Sequence, residues 1–143
     1  MCDWWKVFRT GLVAGLVMLV VSFALMSLWS ALFPSITGEY ANLFLFRPWG
    51  DPLMNLFFIQ PFIVGIALAY VFEKVGPVFK QKDFVDRGMA FGFMIWVASG
   101  IPGMFATYTS FQVSEAMVFS WLAGGLVQML AGGIVLARLW KKK

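Results

Sequence analysis

Apolar residues occupy four long runs along this chain, and charged residues are confined to the stretches between them. The first run has no charged residue from Thr10 to Gly38, which exceeds the about 20 residues that a helix needs to cross a bilayer at 1.5 Å per residue. The pattern predicts four spanning helices, at Gly11–Phe33, Leu53–Phe72, Gly88 to about Ala106, and Ala116–Ala137. Pro34 should end the first helix, Pro61 should kink the second, and Pro102 should loosen the last turns of the third.

A segment in the middle of the chain is repeated near its C-terminus. Gln60–Lys74 aligns with Gln128–Lys142, and the odd-numbered spans share a second pattern of small residues. The aligned pairs are Gln60/Gln128, Gly65/Gly133, Ile66/Ile134, Leu68/Leu136, Ala69/Ala137, Lys74/Lys142, Gly11/Gly88, Gly15/Gly92 and Ser22/Ser99. We interpret the pattern as a duplicated two-helix unit, with repeat 1 at about 6–74 and repeat 2 at about 84–142.

The predicted fold class is therefore an all-α integral membrane protein, a single four-helix transmembrane domain over residues 1–143. Each repeat has two spans, so both hairpins should have the same orientation and be related by an approximate two-fold axis along the membrane normal. Arg47 is the one basic residue on its side of the predicted topology. The positive-inside rule then predicts that both termini and the 74–87 linker are cytoplasmic, with the loops 34–52 and 107–115 outside, in a prokaryotic cytoplasmic membrane.

Composition narrows the possible functions. The chain is 61% hydrophobic with a mean hydropathy of +0.82, far above the about 45 to 50% apolar content of soluble domains. Its net charge of +4 comes from residues at the ends of apolar runs, which suits anionic lipid headgroups, especially at Lys141–Lys143, better than nucleic acid. A single cysteine, Cys2, and the absence of histidine argue against a disulfide, thiol or imidazole metal sites and haem ligation. We expect no cofactor and no metal.

Small residues in the odd-numbered spans predict close helix packing. Gly11 and Gly15, like Gly88 and Gly92, lie four residues apart on one helix face, where another backbone can approach. A pore lined by small residues is the alternative.

Two glutamines lie deep in the predicted spans. Gln60 and Gln128 are each 13 residues, about 20 Å, from the cytoplasmic end of their helix, near the bilayer midplane. An unpaired amide there is costly, so we expect the two to be hydrogen-bonded, to each other across the two-fold axis. They are either an interhelical clamp or a substrate site. Asn55 with Ser120 is a similar, shallower pair.

A polar cluster is predicted at the outer face. Its members are Arg47, Glu39, Asp51, Glu115, Trp49 and Tyr108. Arg47 could pair with Asp51 or Glu115 and so lock the first loop to the second hairpin. The alternative is a shallow site in which Arg47 contacts a phosphate or carboxylate headgroup.

Several motifs carry a family resemblance. They are FRPWGDPLM at 46–54, the QPF around Pro61, PGMFATYTSF at 102–111 and the small-residue final helix. The chain resembles, over nearly its whole length, a family of small uncharacterised bacterial and archaeal four-span membrane proteins. The resemblance implies the architecture and no activity.

No Asp, Glu, Lys, Arg or His lies inside the predicted spans, which argues against proton-coupled transport and against acid–base or metal catalysis there. We therefore expect a non-enzymatic packing or accessory module that self-associates or joins a larger membrane complex. A homodimeric carrier or channel for a neutral solute, lined by Gln60 and Gln128, is the alternative. An outer-face enzyme acting on lipid through Asp51 or Glu115 is the third hypothesis.

Overall fold

The fold is a bundle of helices, seen in a computed structural model that describes residues 3–140. The α-helices are α1 (Trp4–Leu32), α2 (Pro34–Tyr40), α3 (Gln60–Val75), α4 (Phe84–Ile95), α5 (Ile101–Ser110) and α6 (Glu115–Leu139). Two 3-10 segments, Pro52–Phe58 and Gly76–Val78, and a π-helical segment, Trp96–Gly100, complete the helical structure of residues 3–140. The predicted all-α class is confirmed. The predicted headgroup contacts of Lys141–Lys143 and the cysteine at position 2 lie outside the described residues.

Four helical stretches are long and apolar enough to cross a membrane. They are Trp4–Leu32, Pro52–Val78, Phe84–Ser110 and Glu115–Leu139. The number and order of the spans agree with the sequence prediction, and each stretch is longer than predicted. One end of the bundle holds the start of α1, residues 76–83 and the end of α6, and we call it the basic end. The opposite end holds residues 33–51 and 111–114, and we call it the loop end.

Helices α1 and α4 begin earlier than hydropathy predicts because aspartate side chains cap them. Asp3 accepts the backbone N–H of Lys6, and Asp83 accepts those of Val85 and Asp86. Capping of these otherwise unsatisfied N–H groups adds a full turn before the apolar run. The predicted linker 74–87 is therefore too long, and Arg87 belongs to the first turn of α4.

Proline determines where two spans break. Pro61 lies in the first turn of α3, so the second span is a 3-10 segment followed by an α-helix instead of one kinked helix. Pro102 lies in the first turn of α5 and has no N–H for the preceding turn, which is the π-helical segment. Beyond it α5 continues to Ser110, so the loop predicted to begin at Thr107 is helical at first. Residues 34–40 of the first predicted loop form α2.

Glycines allow the helix backbones to touch at the basic end. A Cβ atom added at Gly11 would lie 2.5 Å from Cα of Ile66, and one added at Gly88 would lie within 3.0 Å of Cα and N of Ile134. Gly15 and Gly92 similarly face the backbones of α3 and α6. Helix α1 therefore packs on α3, and α4 on α6, through backbone contact.

The hydrophobic core lies in the half of the bundle nearest the basic end. Its buried members are Val7, Ala14, Met18, Leu68, Ala69, Phe72, Phe91, Leu136 and Ala137. Toward the loop end the helices separate, and the space between them is the candidate site.

Candidate functional site

A cavity of about 600 Å³ lies between α1, α2, α3 and α6 in the half nearest the loop end. The lining residues closest to the basic end are Leu19 on α1, Pro61 on α3 and Gln128 on α6. Beyond them Met18 is buried against Gly132 and Leu68. The cavity therefore has a floor at mid-bundle and does not run through the chain.

The sequence of α6 leaves this space open. Gly124 and Gly125 line the cavity where a larger residue would fill it. A Cβ atom at Gly124 would meet Leu25 and Trp29 only at 3.8 Å, an ordinary van der Waals distance. These glycines thus differ from Gly88 and Gly92, where the added atom would enter a neighbouring backbone.

The polar groups of the cavity wall are all neutral. They belong to Ser22, Ser30, Tyr40, Gln60, Ser120 and Gln128, with the indoles of Trp29, Trp49 and Trp121. Ser22 Oγ donates to the carbonyl of Met18 at 2.8 Å, and Ser120 Oγ to that of Met117 at 2.7 Å. These two hydroxyl protons are therefore already used within their own helices.

Gln60 and Gln128, the two predicted midplane amides, line the same cavity. Neither side chain makes a hydrogen bond within residues 3–140, so the hydrogen bond predicted between them is not formed. Both amides line the wall of an open cavity, so the closed helix packing on which the prediction relied is absent around them. Asn55 is exposed and does not line the cavity, whereas Ser120 is 4% exposed, so the predicted Asn55–Ser120 pair is not formed either.

Two polar groups of the cavity wall were not assigned to a site inside the bundle by the sequence analysis. Trp29 Nε1 is buried and has no hydrogen-bond partner among the described residues. Tyr40 Oη accepts a 2.6 Å hydrogen bond from Trp121 Nε1, and burial raises the pKa of its phenol above 10.0. In the sequence, Trp29 is one aromatic residue of an apolar span, and Tyr40 is one of a loop. Only the tertiary structure shows that both line the same cavity.

The predicted outer-face cluster is divided among local partners. Arg47 pairs with Asp51 at 2.9 Å, four residues away, and the pair is solvent-exposed. The backbone N–H of Leu53 and the Arg47 guanidinium lower the pKa of Asp51. Glu115 accepts from Tyr108 Oη at 3.2 Å, so it is not a partner of Arg47. The predicted lock between the loop and the second hairpin is therefore not made by Arg47.

Helix α2 connects the two hairpins instead. Glu39 accepts the backbone N–H of Ser114 at 3.1 Å, and Tyr40 receives the Trp121 hydrogen bond. Phe46 packs edge-on against the Trp121 ring, with centroids 6.2 Å apart. These contacts place α2 over the loop end of the cavity.

We expect Tyr40→Phe to loosen α2 and to lower stability by about 1 kcal/mol, the net value of one hydrogen bond. Burial raises the pKa of the Tyr40 phenol above its ordinary value of 10.0. The neutral phenol therefore contributes to stability in full below pH 10.0. This contribution is lost as the pH rises through the higher pKa of the folded state. Hydrogen exchange of residues 34–40 measures the effect, and Tyr70→Phe is the control at the basic end. Unchanged exchange in Tyr40→Phe would contradict the assignment.

The basic end contains a buried cation that the sequence analysis placed in a linker. Arg87 is 6% exposed, and its Nη2 donates to the carbonyls of Ala137 at 2.5 Å and Trp140 at 2.7 Å. Its guanidinium also lies 5.5 Å from the centre of the Phe72 ring. Arg87 therefore caps the C-terminal end of α6, where a cation satisfies the last carbonyls and the helix dipole.

A second contact at the basic end joins α1 to the end of α6. Trp140 Nε1 donates to Thr10 Oγ1 at 3.0 Å, and Lys6 Nζ lies 4.1 Å from the centre of the Trp140 ring. Both ends of the bundle are thus joined by tryptophan hydrogen bonds.

No protein-family model, curated protein or solved structure matches this chain. The resemblance to small four-span membrane proteins stays a prediction. Function must therefore be argued from the geometry alone. Among residues 3–140, no three Cys, Asp or Glu side chains converge as a metal site would require.

Proposed function

We propose that this chain is an integral membrane protein without enzymatic activity, and that it binds a neutral, largely apolar small molecule in the loop-end cavity. The observation that carries the proposal is the cavity itself. Its volume of about 600 Å³ lies within the usual range for ligand sites, about 300 to 1,000 Å³. Its wall is mainly apolar, and its polar groups carry no charge, so a charged ligand would lose its hydration without gaining a counter-charge.

Lipid exposure is supported by the outer surfaces of the helices. Leu16 and Val20 on α1 are 53% and 62% exposed, and Ile63 on α3 is 63% exposed. A helix of a water-soluble bundle would carry polar residues on this outer face. The positive-inside rule would then place the basic end in the cytoplasm and the cavity in the outer half of the membrane.

The proposed duplication is supported by equivalent contacts in the two hairpins. Gly11 lies against the backbone of Ile66, and Gly88 lies against the backbone of Ile134. Gly88 aligns with Gly11 in the repeat, and Ile134 aligns with Ile66. Ser22 and Ser99 each donate to the carbonyl four residues earlier at 2.8 Å.

Contacts between the hairpins are reciprocal. Thr10 in the first hairpin accepts a hydrogen bond from Trp140 in the second. In the repeat, Arg87 is equivalent to Thr10, and Phe72 is equivalent to Trp140. Arg87 in the second hairpin packs on the ring of Phe72 in the first. Reciprocal contacts are what a two-fold axis produces. They favour two hairpins of the same orientation.

The glycine pairs of α1 and α4 no longer support self-association of the chain. Gly11, Gly15, Gly88 and Gly92 all face backbones of their own chain, so they offer no smooth surface to a second copy. Assembly with a second copy or a larger complex stays a prediction and would need another surface. An enzyme at the loop end has no support either, because Asp51 and Glu115 bond separate local partners.

A carrier for a neutral solute is the second candidate, favoured by the presence of both glutamines in one cavity. Transport would require the packed half around Met18 and Leu68 to open. Solute flux in liposomes that survives Gln60→Leu together with Gln128→Leu would count against it.

We expect Gly124→Leu to fill the cavity and weaken ligand binding at least tenfold while the fold is retained. A Cβ at Gly124 would meet only side-chain atoms at ordinary van der Waals distance, and Gly124 lines the cavity, so we expect the longer side chain to occupy part of the cavity without displacing a backbone. The measurement is photolabelling in liposomes with a neutral, diazirine-bearing fatty alcohol, followed by peptide mass spectrometry. Saturable labelling of the cavity-lining stretches 19–30 and 120–128 is the expected result.

Gly103→Leu is the matched control, because no atom lies within 4 Å of a Cβ at Gly103 and this residue does not line the cavity. Its labelling should equal that of the parent chain. Labelling that rises linearly with probe concentration, or that is unchanged in Gly124→Leu, would refute the proposed function.

A further inference from the structure

The cavity wall is unusually rich in aromatic rings. Its rings belong to Phe23, Trp29, Tyr40, Trp49, Phe57, Phe58 and Trp121. Phe23 and Phe58 stack with their centroids 6.0 Å apart and remain 49% and 37% exposed, so this part of the wall faces the outside of the chain. Such rings favour a flat conjugated group over a flexible acyl chain, because offset and edge-on ring contacts add to the area that is buried.

The same wall carries hydrogen-bond donors that the protein leaves unused. Trp29 Nε1 has no acceptor, and Tyr40 Oη accepts from Trp121 while its own proton has no acceptor within residues 3–140. The side-chain amides of Gln60 and Gln128 are also without a partner there. An indole can only donate, so the partner that Trp29 lacks must be an acceptor.

These donors lie at two levels of the cavity. Trp121 donates to the Tyr40 hydroxyl at one level, and Gln128 lies at the floor. Trp121 and Gln128 are seven residues apart on α6, which corresponds to about 10 Å along the helix axis. A ligand that satisfies both levels needs acceptors on opposite edges of its head. Charged acceptors such as carboxylates are disfavoured, because no Lys or Arg side chain lines the cavity.

We infer that the ligand is a quinone-type lipid: a flat conjugated ring with carbonyl acceptors on opposite edges and an apolar tail. This inference rests on the proposed function and specifies its ligand class. The amides of Gln60 and Gln128 donate to one carbonyl at the floor, Tyr40 or Trp29 donates to the other, and the tail leaves past Phe23 and Phe58 into lipid. The inference concerns binding and includes no redox step.

The test is equilibrium binding to the protein in lipid nanodiscs, with a decyl-substituted benzoquinone as the probe. Saturable binding of the quinone is expected. Trp29→Phe, which keeps an aromatic ring of smaller size and removes the N–H, should weaken it roughly three- to tenfold, as loss of one hydrogen bond does. Gln60→Leu combined with Gln128→Leu should weaken it more than tenfold, and Gln112→Leu, an exposed loop glutamine outside the cavity, should leave it unchanged.

Decanol and a diacylglycerol are the comparison probes, because decanol has no carbonyl and the diacylglycerol has ester carbonyls without a ring. If either binds saturably and is lost in Gly124→Leu while the quinone does not bind, the quinone inference is overturned and the proposed function stands. Quinone binding that is unaffected by both Trp29→Phe and the double glutamine variant would also overturn it. If none of the three probes binds saturably, both proposals fail.

Discussion

Replacing Gly88 with alanine is expected to lower the free energy of unfolding by about 3 kcal/mol, at the upper end of the usual cost of overpacking. The added methyl group would lie within 3.0 Å of Cα and N of Ile134 and of the carbonyl carbon of Gly133. Backbone atoms cannot move aside as a side chain can, so α4 and α6 must separate. Reversible unfolding in mixed lipid–detergent micelles measures the change.

Gly103→Ala and Gly38→Ala are the controls, because a Cβ at either position would meet no atom within 4 Å. In α5 the change at Gly103 should even stabilise slightly, since alanine favours helix over glycine by up to about 1 kcal/mol. Gly11→Ala should resemble Gly88→Ala, because its added atom would lie 2.5 Å from Cα of Ile66. Equal stability of Gly88→Ala and Gly103→Ala would contradict the backbone contact.

The second large effect is expected from Arg87→Met, which should cost about 2 to 3 kcal/mol. The substitution keeps an apolar stem and removes two charge-assisted hydrogen bonds to the carbonyls of Ala137 and Trp140. These carbonyls then remain unsatisfied at the end of α6. Arg87→Lys should recover part of the loss, because an ammonium group can also donate to carbonyls, but it lies closer to its own backbone than Nη2, which donates both hydrogen bonds in the parent chain.

Hydrogen exchange of residues 136–140, with the unfolding free energy, measures the effect of Arg87→Met. Lys82→Met removes an exposed cation from the same end of the bundle and should change stability by less than about 0.5 kcal/mol. Matching exchange rates in the two variants would show that Arg87 contributes only charge and not a cap.

The number and order of the four long apolar helices were predictable, because a segment able to cross a membrane needs a long uncharged run. Helix starts were predicted less well, because Asp3 and Asp83 extend α1 and α4 beyond that run by capping. The glycine positions could be read from the repeat. Their partners could not, since a smooth helix face fits a neighbour in the same chain or in another one.

The site was predicted in part. Depth alone identified Gln60 and Gln128, and the structure brings both to one cavity. The hydrogen bond between them was predicted wrongly, because the prediction assumed a closely packed bundle at this depth, whereas an open cavity lies there. The roles of Trp29, Tyr40 and Arg87 could not be predicted from the sequence, since the partners of Tyr40 and Arg87 lie at least 50 residues away and Trp29 Nε1 has no partner among the described residues.

The glycine contacts have a chemical consequence as well as a steric one. A Cβ at Gly65 would point at the carbonyl oxygen of Gly11, and one at Gly133 at that of Gly88. In glycine this direction is taken by a second α-hydrogen, which can form a weak Cα–H···O bond worth about 0.5 to 1 kcal/mol. Alanine at Gly65 or Gly133 would therefore remove a donor and add bulk in a single step.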